Sequence, residues 1–242
     1  MKRRFFVPAL VSFLPLASSL VAEPANPGAD ALKERIIAHA RTVAAEDYAY
    51  TRTVRTEAIE GEKKEESVLV DRWDPAKPPD QRWTLLSIDG KPPDADQLKL
   101  FRKALAKRRQ AYYGRVAGYF AKPATSALDA RGRTIFRFAS LPKESVMVSD
   151  ADISANATGE VAVDTTGATP FIEEVRFIST KSTRVMLVAK IDRFEAMTRY
   201  RLMPDGKPVP IESSSEMIGS MLGQQGRIRT KVAYTDHRAV GK

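Results

Sequence analysis

The order of apolar and polar positions divides the chain into an opening helix, three strands, a second helix and a long run of further strands. From Asp30 to Glu46, Leu32, Ile36, Ile37, Ala40 and Val43 recur at helical spacing, with Asp30 placed to cap the first turn. The period then changes. Tyr48 to Ala58, Ser67 to Trp73 and Arg82 to Ile88 are rich in Tyr, Thr, Val, Leu and Trp, and Glu60-Gly61 and the Pro-rich 74–79 segment separate them. They read as antiparallel neighbours. After Asp89-Gly90, Asp94 and Gln97 form a variant of the capping box, followed by a helix through Leu98, Phe101, Leu105 and Tyr112. Between Ala111 and Thr125 two readings stay open: Tyr112, Tyr113, Val116, Tyr119 and Phe120 can pack, but Gly114 and Gly118 weaken a continued helix.

Short strands recur beyond this point: Arg133 to Leu141, Ser145 to Ser149, Gly159 to Asp164, Ile172 to Ser179, Thr183 to Ile191, Phe194 to Met203, Pro208 to Met217 and Gly226 to Tyr234. Turns are signalled at Gly132, Gly159, Gly167, Asp205-Gly206 and Gly223. Within 183–191, Val185, Leu187, Ala189 and Ile191 alternate with Met186, Val188 and Lys190, as one half-buried strand does. The expected fold class is α+β, a large curved antiparallel sheet forming an open half-barrel covered by two main helices, because ten or more strands rarely stay flat.

The first residues alter the picture of where the chain works. Lys2, Arg3 and Arg4 precede an apolar run from Phe5 to Val21, broken by Pro8, Pro15 and three serines and ended by Ala22. That order is the basic start, apolar stretch and small-residue cleavage site of a secretory signal, and the two prolines disfavour a spanning helix. We therefore expect residues 1–22 to be a signal peptide cleaved near Ala22, residues 23–28 a flexible mature N-terminus, and residues 29–242 one half-barrel domain, periplasmic and monomeric. The full chain of 242 residues carries +9; removal of 1–22 leaves 36 basic against 30 acidic residues, or +6. A basic surface favours anionic envelope lipids, and the compartment argues against nucleic acid. With no cysteine, disulfides and thiol catalysis are excluded.

A leading helix, an antiparallel meander and a helix inserted after the early strands, in an exported cysteine-free chain, resemble the LolA/LolB-like superfamily of periplasmic lipoprotein carriers. The textual likeness lies in Arg72-Trp73-Asp74-Pro75, Arg82-Trp83-Thr84-Leu85-Leu86, Asp89-Gly90-Lys91-Pro92-Pro93 and the stretch from Tyr200 to Pro208. The resemblance implies an open half-barrel closed by helices around a hydrophobic cavity that holds acyl chains. It also implies a functional arginine on an early strand, a place that Arg52 or Arg55 can fill.

Candidate chemistry is sparse. His39 falls on the first helix, and His237 follows Asp236 with Ser213, Ser214 and Ser215 on a neighbouring expected strand, but no Gly-x-Ser-x-Gly elbow accompanies them. Asp94 with Asp96, and Asp150 with Asp152, lack the spacing of a metal loop. No cofactor and no catalytic set is expected. Trp73 and Trp83 are candidates to line a ligand cavity. Arg102, Lys103, Lys107, Arg108 and Arg109 concentrate positive charge on the second helix, a candidate surface for anionic head groups or an acidic partner. The expected function is a non-enzymatic periplasmic carrier of a hydrophobic ligand, a lipid or lipoprotein acyl chain, with Arg52, Arg55, Trp73 and Trp83 at the site. The alternative is an envelope scaffold protein with a filled core and a basic docking helix.

Overall fold

The computed structural model describes residues 27–44, 47–105, 113–148, 151–186 and 189–240. The signal segment and the basic residues Lys107, Arg108 and Arg109 lie outside the described residues.

Helix α1 (Pro27–Thr42) is followed by β1 (Tyr48–Glu60), β2 (Lys63–Trp73), β3 (Trp83–Ile88) and helix α2 (Ala95–Leu105). A 3-10 helix (Tyr113–Ala121) leads into β4 (Thr125–Leu128), β5 (Thr134–Phe138), β6 (Met147–Val148) and β7 (Ala151–Asp152). The remainder is β8 (Ala157–Asp164), β9 (Phe171–Ser179), β10 (Thr183–Met186), β11 (Ala189–Leu202), β12 (Pro208–Met221) and β13 (Gln224–Ala239). Eleven strands form one antiparallel sheet in the order β3-β2-β1-β13-β12-β11-β9-β8-β5-β4, with β10 paired to β11; β6 and β7 pair separately. The outer strands β3 and β4 do not meet, so the sheet stays open, as the pattern of strands predicts.

One face of this sheet, here the inner face, receives α1 and the 3-10 helix. Ile36, Ile37, Ala40 and Val43 of α1 join Tyr113, Val116 and Phe120 and the inward side chains of β5, β8, β9 and β11 in one buried cluster. Phe120 meets Phe136 and Phe138 edge-on, and Tyr113 meets Tyr200. The Tyr113 hydroxyl accepts a 2.7 Å hydrogen bond from the Ile172 amide, which satisfies a buried donor where β9 begins. The glycines that weakened a regular α-helix over 111–125 thus coincide with a tighter 3-10 segment whose aromatic side chains still reach the core. Helix α2 lies beside β3 and buries Phe101; its capping box is present, with the Gln97 amide donating to Asp94 Oδ1 at 2.8 Å and the Asp94 amide to Gln97 Oε1 at 3.0 Å.

Three local expectations are corrected. Helix α1 already includes Pro27, so Asp30 stands within the helix rather than at its cap. The stretch from Thr183 to Ile191 is no single strand: β10 folds back on the start of β11, pairing Thr183 with Ile191 and Met186 with Ala189. Alternation alone carries no mark of that reversal, since no Gly, Pro or Asn stands there. Gly159, read as a turn, lies inside β8, where an added Cβ would stand 3.0 Å from Leu141 Cδ2.

Candidate functional site

The inner face of β1, β2, β12 and β13 contributes no residue to the buried cluster under α1 and the 3-10 helix. At the end where the β1–β2 and β12–β13 hairpins turn, it borders a groove of about 690 Å³. Register explains how distant segments meet there. Ala58 of β1 pairs with Ile228 of β13, Ile228 with Met217 of β12, and Met217 with Phe194 of β11. One step nearer the rim, Glu60 pairs with Gly226, Gly226 with Gly219, and Gly219 with Ile191. Val148, Ala151 and Val185 complete the wall from β6, β7 and β10, while Lys63, Glu65, Lys190 and Arg227 supply charge at the margin. Ile191 belongs to the main core and Met217, Val148 and Val185 pack against it, so the groove is an open continuation of the core rather than a separate pit.

Gly219 is required by a close backbone approach. Strand β11 bulges between Ile191 and Arg193, and a Cβ built at Gly219 would stand 2.4 Å from the Lys190 carbonyl oxygen.

Six residues back along β1, the same face carries a different arrangement. Arg52 pairs in register with Asp71 on one side and Tyr234 on the other. Its guanidinium donates to both carboxylate oxygens, Nε to Oδ1 at 2.8 Å and Nη2 to Oδ2 at 2.6 Å. The Arg52 side chain is 13% exposed and that of Asp71 is 0% exposed. The Trp83 ring lies over the guanidinium, 4.5 Å from its centroid. Trp73 contacts Trp83, and Tyr50 meets Trp83, Tyr234 and His237. Burial works against the charged guanidinium, but the hydrogen bonds and charge of Asp71 outweigh it and raise the Arg52 pKa. The indole N–H of Trp73 is buried with no hydrogen-bond partner among the described residues. Between cluster and groove runs a band of small hydroxyl side chains, Thr56, Thr230 and Ser215, in lateral register.

The structure therefore brings Arg52, Trp73 and Trp83 together and leaves Arg55 apart: three positions from Arg52, Arg55 is exposed on the opposite face. None of the four lines the groove. Arg102 and Lys103 are exposed in the last turn of α2. The groove residues Ala58, Ile191, Met217, Gly219 and Ile228 were not among the sequence candidates. The inward alternation of each strand was visible, but which strands lie side by side was not.

Both histidines are committed structurally. His39 Nε2 donates to the Gly206 carbonyl at 2.9 Å and ties α1 to the β11–β12 turn. His237 Nε2 donates to the Pro210 carbonyl at 2.8 Å, and burial lowers the His237 pKa. Ser213 instead shares hydrogen bonds with Thr198 and Tyr234, at 3.0 and 3.4 Å. Among the described residues no cluster of His, Asp and Glu has the arrangement of a metal site, and no helix is long and apolar enough to cross a membrane.

No protein-family model matches this sequence, and no curated protein matches it. Among solved structures the chain is similar to a LolA superfamily protein from Nitrosomonas europaea, at 11% identity and a TM-score of 0.31 over 88% of this chain and 94% of that one.

Proposed function

We propose that this protein is a non-enzymatic binding or carrier protein that holds a hydrophobic ligand, a lipid or lipoprotein acyl chain, in the open half of its sheet. The observation that carries this reading is the apolar groove of about 690 Å³ formed by Ala58, Val148, Val185, Ile191, Met217 and Ile228. Its volume lies within the usual range for small-molecule sites, and its wall continues into the core. Binding an acyl chain there needs no reactive group, only apolar surface that yields about 0.8 kcal/mol per sheltered methylene. A chain lying along the inner face from the groove would meet the Thr56, Thr230 and Ser215 band before the Arg52–Asp71 pair and its aromatic cover, an order of apolar and then polar surface that matches an amphipathic molecule. On this reading residues 1–22 export the chain, the ligand comes from the cell envelope, and the exposed Arg102 and Lys103 face its anionic components.

The test is to purify the processed protein from a periplasmic extract without detergent and identify bound lipid by mass spectrometry, then titrate it with a fluorescent fatty acid. Co-purifying lipid and saturable probe uptake are expected. A ligand-free protein that also ignores the probe overturns the reading.

A further inference from the structure

The inner-face arginine of β1 is already engaged, because the charge of Arg52 is met by Asp71. Another arginine is not. Arg115 stands in the 3-10 helix, half-buried, and makes no hydrogen bond and no ion pair among the described residues. From Tyr113 to Leu128 the chain holds no acidic residue. A guanidinium partly withdrawn from water and left without a counter-charge is a cost to the fold, and it fits a ligand that brings the missing negative charge.

Uncommitted hydroxyls accompany it. Arg115 lies close enough to Tyr119 and Tyr200 for its charge to act on both phenols, opposing the rise in pKa that burial imposes on them. Tyr119 packs edge-on against Phe177 of β9, and Tyr200 of β11 is 6% exposed; neither hydroxyl makes a hydrogen bond among the described residues. Phenylalanine would fill either place equally well and leave no polar group to satisfy. Tyr234 of β13, within electrostatic reach of Tyr200, holds its hydroxyl at a long 3.4 Å from Ser213 Oγ.

The cluster is continuous with the groove. The 3-10 helix contacts β12, whose Ser213, Ser215 and Met217 follow one another on the inner face. Met217 lines the groove, and Ser213 stands four residues away on the same strand, about 14 Å at the usual strand rise. A medium-length acyl chain with its tail in the groove therefore ends beside Ser213 and Tyr234, at the margin of this cluster.

We propose that Arg115, with the hydroxyls of Tyr119, Tyr200 and Tyr234, receives the anionic head group of a ligand whose acyl tail lies in the groove. This rests on the carrier reading and narrows its ligand to an acyl chain ending in a carboxylate or a phosphate. The experiment is equilibrium dialysis of the processed protein against dodecanoate, dodecyl phosphate and dodecanol, which share one tail and differ only in the head. Both anions should bind at least tenfold more tightly than the alcohol, and the tighter of the two identifies the head group. Arg115→Met, which keeps the packing of the stem, should weaken anion binding about tenfold, and Arg115→Lys should restore part of it. Tyr200→Phe should weaken anion binding about fivefold with its thermal midpoint held or raised, since that hydroxyl has no partner to lose. Dodecanol binding should stay unchanged in all three variants.

Equal binding of the alcohol and the anions, or undiminished anion binding in Arg115→Met, overturns the inference and leaves the carrier reading in place. Loss of dodecanol along with the anions in Arg115→Met also overturns it, because the residue then serves the fold. Failure of all three compounds to bind the wild-type protein removes both readings.

Discussion

Asp71 shows most plainly how a residue's role depends on what surrounds it. A carboxylate with no exposed side-chain surface is stabilised by two charge-assisted hydrogen bonds from Arg52, which is itself covered by Trp83. Removing one partner leaves the other buried and uncompensated. We expect Asp71→Asn to cost about 3 kcal/mol in urea unfolding, within the usual range for a broken buried pair. The double variant Arg52→Met, Asp71→Leu should recover most of that loss, because two apolar side chains leave no buried charge. If fatty-acid uptake survives in the double variant, the pair serves the fold; if uptake is lost while stability returns, Arg52 acts on the ligand. The sequence singled out Arg52 and Arg55 as alternatives on one strand. Their odd spacing put them on opposite faces, and only the position of the core identified the inward one.

The hairpins at the groove end show what an element can and cannot reveal before its neighbours are known. The turn at Gly223 was legible because glycine supplies positive φ, and the α2 cap because Asp94 and Gln97 bond each other's amides within four residues. The β10–β11 reversal was hidden, since its apolar residues satisfy strand alternation on either side of the turn. Gly219 was also opaque: its need arises from a bulge in β11, a different strand. Gly219→Ala should destabilise the protein by about 1–3 kcal/mol, the usual range for overpacking, because the new methyl must displace the Lys190 carbonyl. Thermal unfolding measures that cost. Fatty-acid titration of the same variant should show weaker uptake, since the displaced β11 segment forms part of the groove wall.

At the scale of the whole molecule, the sheet is used unevenly. The half made by β5, β8, β9 and β11 is closed by α1 and the 3-10 helix, whereas β1, β2, β12 and β13 leave inner-face surface outside that packing. That asymmetry provides a core and a groove on one continuous sheet. Filling the groove should therefore separate stability from binding. In Ala58→Phe a ring would enter the groove beside Ile228 and Met217, and we expect fatty-acid uptake to fall at least tenfold with the thermal midpoint nearly unchanged. Undiminished uptake would place the ligand elsewhere.

Local chemistry was sufficient for the parts of this protein decided within a few residues. Helical spacing from Leu32 to Val43, the Asp94–Gln97 cap, the alternating strands and the turns at Gly206 and Gly223 all follow from short-range sterics and hydrogen bonding, and together they imply a large open antiparallel sheet. The groove depended on tertiary structure. Ala58, Met217 and Ile228 are ordinary strand residues until registry across β1, β13 and β12 puts them side by side, and the pairing of β1 with β13 joins segments more than 150 residues apart. Strand alternation gives each side chain one of two faces; long-range packing determines which face is the core and which part of it stays open.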